Sequence, residues 1–107
     1  MKLIPVLDKA DILFAEVDDS DAEYLSKWTW RAHRATRSAT TYARGYVGGQ
    51  RVLMHRLVLG DEAGPITDHI DGNGLNNQRV NLRSVTQREN VIAGYARKAF
   101  DQYEDRL

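Results

Sequence analysis

The chain has no cysteine. Disulfides and thiolate zinc sites, which prop up many small domains, are therefore excluded, and no structural zinc is expected. A reducing compartment fits that absence. Proline is scarce, with two in 107 residues, and no apolar run approaches the roughly 20 residues of a membrane span. The opening stretch MKLIPVLDKADILFAEVDD turns acidic too early for a secretory signal, so a cytoplasmic protein without a membrane partner is expected. Net charge is lacking too, with 15 basic residues against 15 acidic ones. What remains is an ordinary composition, 42% hydrophobic and 28% charged, and enough length for a single domain with one modest core.

The charge is unevenly spread. Residues 28–60 contain Arg31, Arg34, Arg37, Arg44, Arg51 and Arg56 and not one acid. Before them stand Asp8, Asp11, Glu16, Asp18, Asp19, Asp21 and Glu23 against Lys2, Lys9 and Lys27. A block of arginine between acidic flanks can be a solvated sheet face. Segregation of this kind, in the residue suited to bidentate phosphate contact, also points to a polyanion.

The pattern of the chain reads as α+β. ILFAEV is a short strand, DSDAEYLSKW a turn or one helical turn, and WTWRAHR a half-buried strand with Trp28, Trp30 and Ala32 on one face. TYARGYV is a further strand, and Gly48 and Gly49 make a turn. RVLMHRLVLG has Leu53, Leu57 and Val58 at helical spacing and ends on Gly60 as a C-cap. After Pro65 the order is a brief strand ITDHI, a long turn DGNGLNNQRV, a second brief strand NLRSVT, and a helix over residues 86–98. Thr86 with Glu89 makes a capping box at its start. Both tryptophans are read as core.

The stretch ITDHIDGNGLNN sets His69 between Asp68 and Asp71 and leads into a loop carrying Asn73, Asn76 and Asn77. Metal-assisted hydrolysis of a phosphodiester needs a base for water and a hard divalent cation held by oxygen. His69 is the natural base, because an imidazole titrates nearest to neutrality. Asp68 offers a carboxylate for Mg2+ or Mn2+, and Asn90, on the capped helix, an amide oxygen. Neighbours on a strand point to opposite faces, so Asp68 and His69 need the irregular turn at Asp71–Gly72 to bring them together. An EF-hand loop starting at Asp71 fails, since its sixth and twelfth positions are Asn76 and Leu82 rather than glycine and glutamate. Asn73 and Asn76, with the glycines, are read as turn formers. His55 is read as a packing residue, with a phosphate contact as runner-up, and His33 as a surface residue.

DHIDGNGLNNQRVNLRSVTQREN closely resembles the HNH endonuclease motif, in the phage and intron-associated (homing) branch without zinc-binding cysteines. VLMHRLVLG and the preceding WTWRAHR…TTYARGYV pattern resemble the same branch, so that the likeness runs from about Asp18 to Ala93. The resemblance implies a small N-terminal antiparallel sheet followed by a ββα-metal (His-Me finger) nuclease unit. Residues 1–60 would supply an arginine-rich sheet and helix, and 64–98 the catalytic unit. It implies that His69 is the general base, Asp68 and Asn90 the metal ligands, and Asn81 the residue that holds the loop and so orients the histidine. Double-stranded DNA is the implied partner, gripped by the six arginines of the middle block with Arg83 and Arg88. One site cuts one strand, and a homodimer is expected where both strands are cut. Two readings remain open beside the endonuclease: a DNA-binding module on the same scaffold with no activity, and a phage host-interaction protein.

Overall fold

The computed structural model describes residues 1–34, 39–60 and 66–85. Its first half is a five-stranded sheet in the order β2-β1-β3-β4-β5. The strands are β1 (Lys2–Asp8), β2 (Asp11–Val17), β3 (Trp30–His33), β4 (Tyr42–Val47) and β5 (Gln50–Leu53). A short helix α1 (Asp19–Leu25) separates β2 from β3, and α2 (Met54–Leu59) follows β5 directly. A second, two-stranded sheet pairs β6 (Ile66–His69) with β7 (Leu82–Val85), and a single 3-10 turn, Arg79–Asn81, precedes β7.

The large sheet is mixed, which corrects the antiparallel sheet expected from the sequence. β1 pairs antiparallel with β2, but parallel with β3 through Val6–Trp30 and Leu7–Arg31. The cause is α1, which returns the chain so that β3 enters alongside β1 in the same direction. β1, which the sequence reading did not assign, carries Pro5, a residue that cannot donate to a ladder. Pro5 is accommodated because the β1–β3 ladder reaches only Val6 and Leu7.

The segment RVLMHRLVLG is likewise divided rather than wholly helical. Gly48 and Gly49 take φ of 59° and 81°, the left-handed conformation of a tight hairpin turn. That turn sets Val47 opposite Gln50 and Tyr46 opposite Arg51, so β5 claims the chain through Leu53 before α2 begins.

The core gathers Ile4, Val6, Ala15 and Val17 from the first hairpin, Leu25 from α1, Trp30, Ala43, Met54, Val58 and Leu82. Trp30 is its largest member, 1% exposed, and its indole N–H donates to the Leu25 carbonyl at 2.8 Å. The burial of that ring depends on Gly45, where a Cβ would stand 3.1 Å from both the Trp30 ring and the Thr29 carbonyl. Trp28 is half-buried beside this core.

The small hairpin is stitched to the large sheet by its own loop. The Glu16 N–H donates to the Leu75 carbonyl at 2.8 Å, and the Asn77 N–H to the Glu16 carbonyl at 2.7 Å. This extends the β2 edge by a parallel bridge between Glu16 and Asn76. Arg79 adds a bidentate ion pair to Asp21 of α1, at 2.9 and 2.8 Å.

Candidate active site

β6 ends on His69, and the chain then turns sharply at Gly72, whose φ is 78° and whose N–H donates to the His69 carbonyl at 2.8 Å. Asp71 is the hub of the loop that follows. Its carboxylate accepts from the Asn73 N–H at 2.8 Å and from the side-chain amides of Asn76 and Asn81 at 2.8 and 2.9 Å. Burial opposes ionisation of Asp71, but these donors prevail and hold its carboxyl below the usual carboxylate range. Asn73 closes a second small turn by accepting from the Leu75 N–H at 3.0 Å.

Asn81 lies at the far end of the loop and ties its two ends together. Its side-chain oxygen accepts from the Asp71 N–H at 3.0 Å, and its amide donates to the Asn76 carbonyl at 2.8 Å. The backbone carbonyl of Asn81 accepts from the Ile70 N–H at 2.8 Å. Gly74 docks this loop against the entry to β4, its N–H donating to Thr40 Oγ1 at 2.8 Å. A Cβ there would collide with the Thr41 carbonyl and stand 2.7 Å from the Tyr42 ring.

His69 is 5% exposed. Its Nε2 lies 2.8 Å from Asn77 Oδ1, and Asn77 is fully buried. An amide oxygen only accepts, so in this arrangement Nε2 carries the proton and Nδ1 is the basic nitrogen. The ring is packed edge-to-face with His55 at 4.8 Å and lies 5.7 Å from Tyr42. Burial lowers the pKa of His69 against the opposing pull of Asn77, Asp71 and Asp68. His55 is pushed down to about 3, by burial first and then by His69 and Arg56. Both imidazoles are therefore neutral near pH 7, as two rings in contact require.

Asp68 is also buried, at 6% exposure, and Arg83 from the facing position on β7 binds one of its oxygens through Nε at 3.1 Å and Nη2 at 2.9 Å. β6 is regularly paired through both Asp68 and His69, so the two side chains leave the strand on opposite faces. The turn beyond them does not bring them round to one side.

The structure separates the arginines expected to meet DNA into groups. Arg31, Arg44 and Arg51 share one face of the sheet through the pairs Arg31–Arg44 and Tyr46–Arg51. Arg34 is spent in a bidentate pair with Asp8, at 3.0 and 2.7 Å, and Arg83 is bound to Asp68. Arg56 is exposed on α2. Arg37, Arg88 and Asn90 lie outside the described residues, as does the helix expected over 86–98 with its capping box. Asn77, Tyr42 and His55 surround His69, though sequence reasoning gave Asn77 and Tyr42 no part in the site and His55 a packing role with a phosphate contact as runner-up. For Asn77 the signal was the Asn76–Asn77 pair, whose second member the turn chemistry did not need.

Among the described residues no three His, Cys, Asp or Glu side chains converge as a metal site. Asp68 supplies a hard carboxylate oxygen, and with no cysteine the chain's donors suit a cation such as Mg2+ or Mn2+ rather than thiolate-bound zinc. No helix among the described residues is long and apolar enough to cross a membrane.

No curated protein and no solved structure matches the chain. A family model does, over residues 52–92, and its description is HNH endonuclease. The match begins in β5, takes in α2 and the whole β6–β7 hairpin, and leaves residues 1–51 outside. At family level it suggests nuclease activity on DNA, and nucleases of this kind are generally dependent on a divalent metal. The chain thus matches the HNH endonuclease family model over residues 52–92, the segment that holds Asp68, His69 and Asn81.

Proposed function

We propose that the chain is a metal-dependent DNA endonuclease in which His69 removes the proton from the attacking water. The observation that carries this reading is the buried His69–Asn77 pair, at 2.8 Å, inside the segment that matches the HNH endonucleases. A base that must accept a proton at one nitrogen is best served by an acceptor fixed on the other. Asn77 meets that requirement, and the network from Asn81 through Asp71 keeps the loop bearing Asn77 in place.

Asp68, with Asn90, would hold the cation, which supplies charge stabilisation at the phosphate when bound. Arg83 keeps the buried Asp68 compensated in charge. The face bearing Arg31, Arg44 and Arg51 grips the DNA backbone without regard to sequence. Tyr42 shares that face and touches His69, so the cationic surface is continuous with the base. Hydrolysis leaves a 5′ phosphate and a 3′ hydroxyl, and one site nicks one strand, so that a double-strand cut calls for two copies.

The test is nicking of supercoiled plasmid with Mg2+ or Mn2+, with wild type beside His69→Ala and Asp68→Ala. Open circles from wild type, abolished by chelator and in both variants, are expected. An intact plasmid across both metals, with binding retained, sinks the proposal. That outcome would favour a DNA-binding module without activity, the reading that the occupation of Asp68 by Arg83 would then support.

A further inference from the structure

The arginine-bearing face of the large sheet holds a recess that contacts to a duplex backbone do not account for. Arg31 and Arg44 stand directly opposite each other on β3 and β4. Like charges in that register repel. Among the described residues no carboxylate lies within ion-pair distance of either one. Arg44 instead donates from Nη1 to His33 Nδ1 at 3.1 Å, an imidazole nitrogen that fixes the guanidinium without a carboxylate's charge. Lys27 lies beside them. Together these cations border a recess of about 430 Å³, and its other walls are Trp28, Thr29, Tyr46 and the backbone at Gly45.

The aromatic walls are braced. Trp28 meets Tyr24 edge-on with ring centroids 5.0 Å apart, and the Tyr46 hydroxyl accepts from Arg51 Nε at 3.0 Å. Tyr46 is nevertheless 60% exposed, so its ring has a face open to solvent. Cations that fix phosphates beside aromatic rings that accept bases are the two parts of a single-strand binding groove. A duplex presents a convex backbone and hides its base faces, and it cannot fill a recess of this kind. The volume falls within the range of small-molecule pockets and admits one nucleotide.

We propose that the Lys27–Trp28–Arg31–Arg44–Tyr46 recess binds an unpaired nucleotide of DNA, with its base on the exposed ring of Tyr46 beside Trp28 and its phosphate on Arg31 and Arg44. This rests on the reading that DNA is the partner, and it adds a strand-separated stretch beside the cut. Tyr42, Arg44 and Tyr46 alternate along one face of β4, and Tyr42 touches His69. A strand seated in the recess therefore runs along β4 toward the base.

The experiment uses the full chain carrying His69→Ala, in chelator, so that no cleavage intervenes. Trp30 is buried, and quenching of tryptophan emission by a short oligothymidylate reports Trp28. Saturable quenching is expected, with Arg31→Gln and Arg44→Gln each weakening it. Tyr46→Ala should weaken binding by about 5- to 150-fold, the usual worth of one stacked base, while Tyr46→Phe binds as the parent does. The same oligonucleotide annealed to its complement should bind more weakly. Equal binding of the annealed strand, or an unchanged affinity in Tyr46→Ala, overturns the proposal. If wild type fails to nick plasmid yet oligothymidylate binds in this pattern, the nuclease reading falls and the groove stands.

Discussion

At His69 the two ring nitrogens have different neighbours, and most of the site's chemistry follows from that. Asn77→Ala removes the acceptor that keeps the proton on Nε2, so kcat for nicking should fall about 100-fold or more, the usual share of a general base, with KM little changed. Asn77→Asp keeps an acceptor and should retain activity to within about tenfold of wild type. Steady-state nicking kinetics read both, and equal losses in the two variants would leave Asn77 a merely structural residue. His55 makes a separate prediction. Its Nδ1 has no hydrogen-bond partner among the described residues, and its pKa lies at about 3 against an ordinary 6.5. The unfolded chain therefore binds this proton first as pH falls, so stability drops between pH 6.5 and 3 and is regained as pH rises through that window. The loss has an upper limit of about 5 kcal/mol, at roughly 1.4 for each unit of difference. Urea unfolding at several pH values should show it, and His55→Gln should flatten the slope. Of these residues Asp68 and His69 were legible as chemistry, because an acid beside a histidine is uncommon at a turn. Asn77 was not, since an asparagine among asparagines reads as turn chemistry until its burial is known.

The loop over residues 70–81 behaves as one element, although it is neither helix nor strand. Its shape comes from side chains bonding to backbone, which is why Asn and Asp crowd there. Asn81→Ala removes two such bonds and a third to the Asp71 carboxylate, and leaves the Asp71 N–H without its acceptor, at an expected cost of about 2–4 kcal/mol. Gly74→Ala should cost about 1–3 kcal/mol by forcing the loop away from Thr41 and Tyr42. Thermal melts give both values, and a Gly74→Ala protein as stable as wild type would show that the loop has slack. The sequence announced both strands of this hairpin at close to their true limits. It misled at β5, where Leu53, Leu57 and Val58 mimic a helix across a strand–helix junction, because periodicity is blind to the register that the Gly48–Gly49 turn imposes.

Over the whole molecule a net charge of zero conceals a division of labour among arginines. Arg34 and Arg79 are consumed by Asp8 and Asp21 in bidentate pairs, whereas Arg31, Arg44 and Arg51 face outward together. Arg31→Gln should therefore weaken plasmid binding and shallow its dependence on salt by roughly 1 in log–log slope. Arg34→Gln should leave that slope unchanged, and titrations at several salt concentrations separate the two. The arginine block was evident from the sequence, but which members are spent internally was not, because the acids that claim them come from distant parts of the chain. The same distance matters for the seam between β2 and the loop. Glu16 bonds Leu75 and Asn77 from the opposite end of the chain. Contacts so far apart in sequence form late, after local hairpins and helices have closed. The loop that presents Asn77 to the histidine is therefore anchored on a strand far from it in sequence. A chain still being synthesised, with β2 made and the loop not yet emerged, holds no oriented base. On the nuclease reading proposed above, cutting therefore requires the seam between β2 and the loop to be complete.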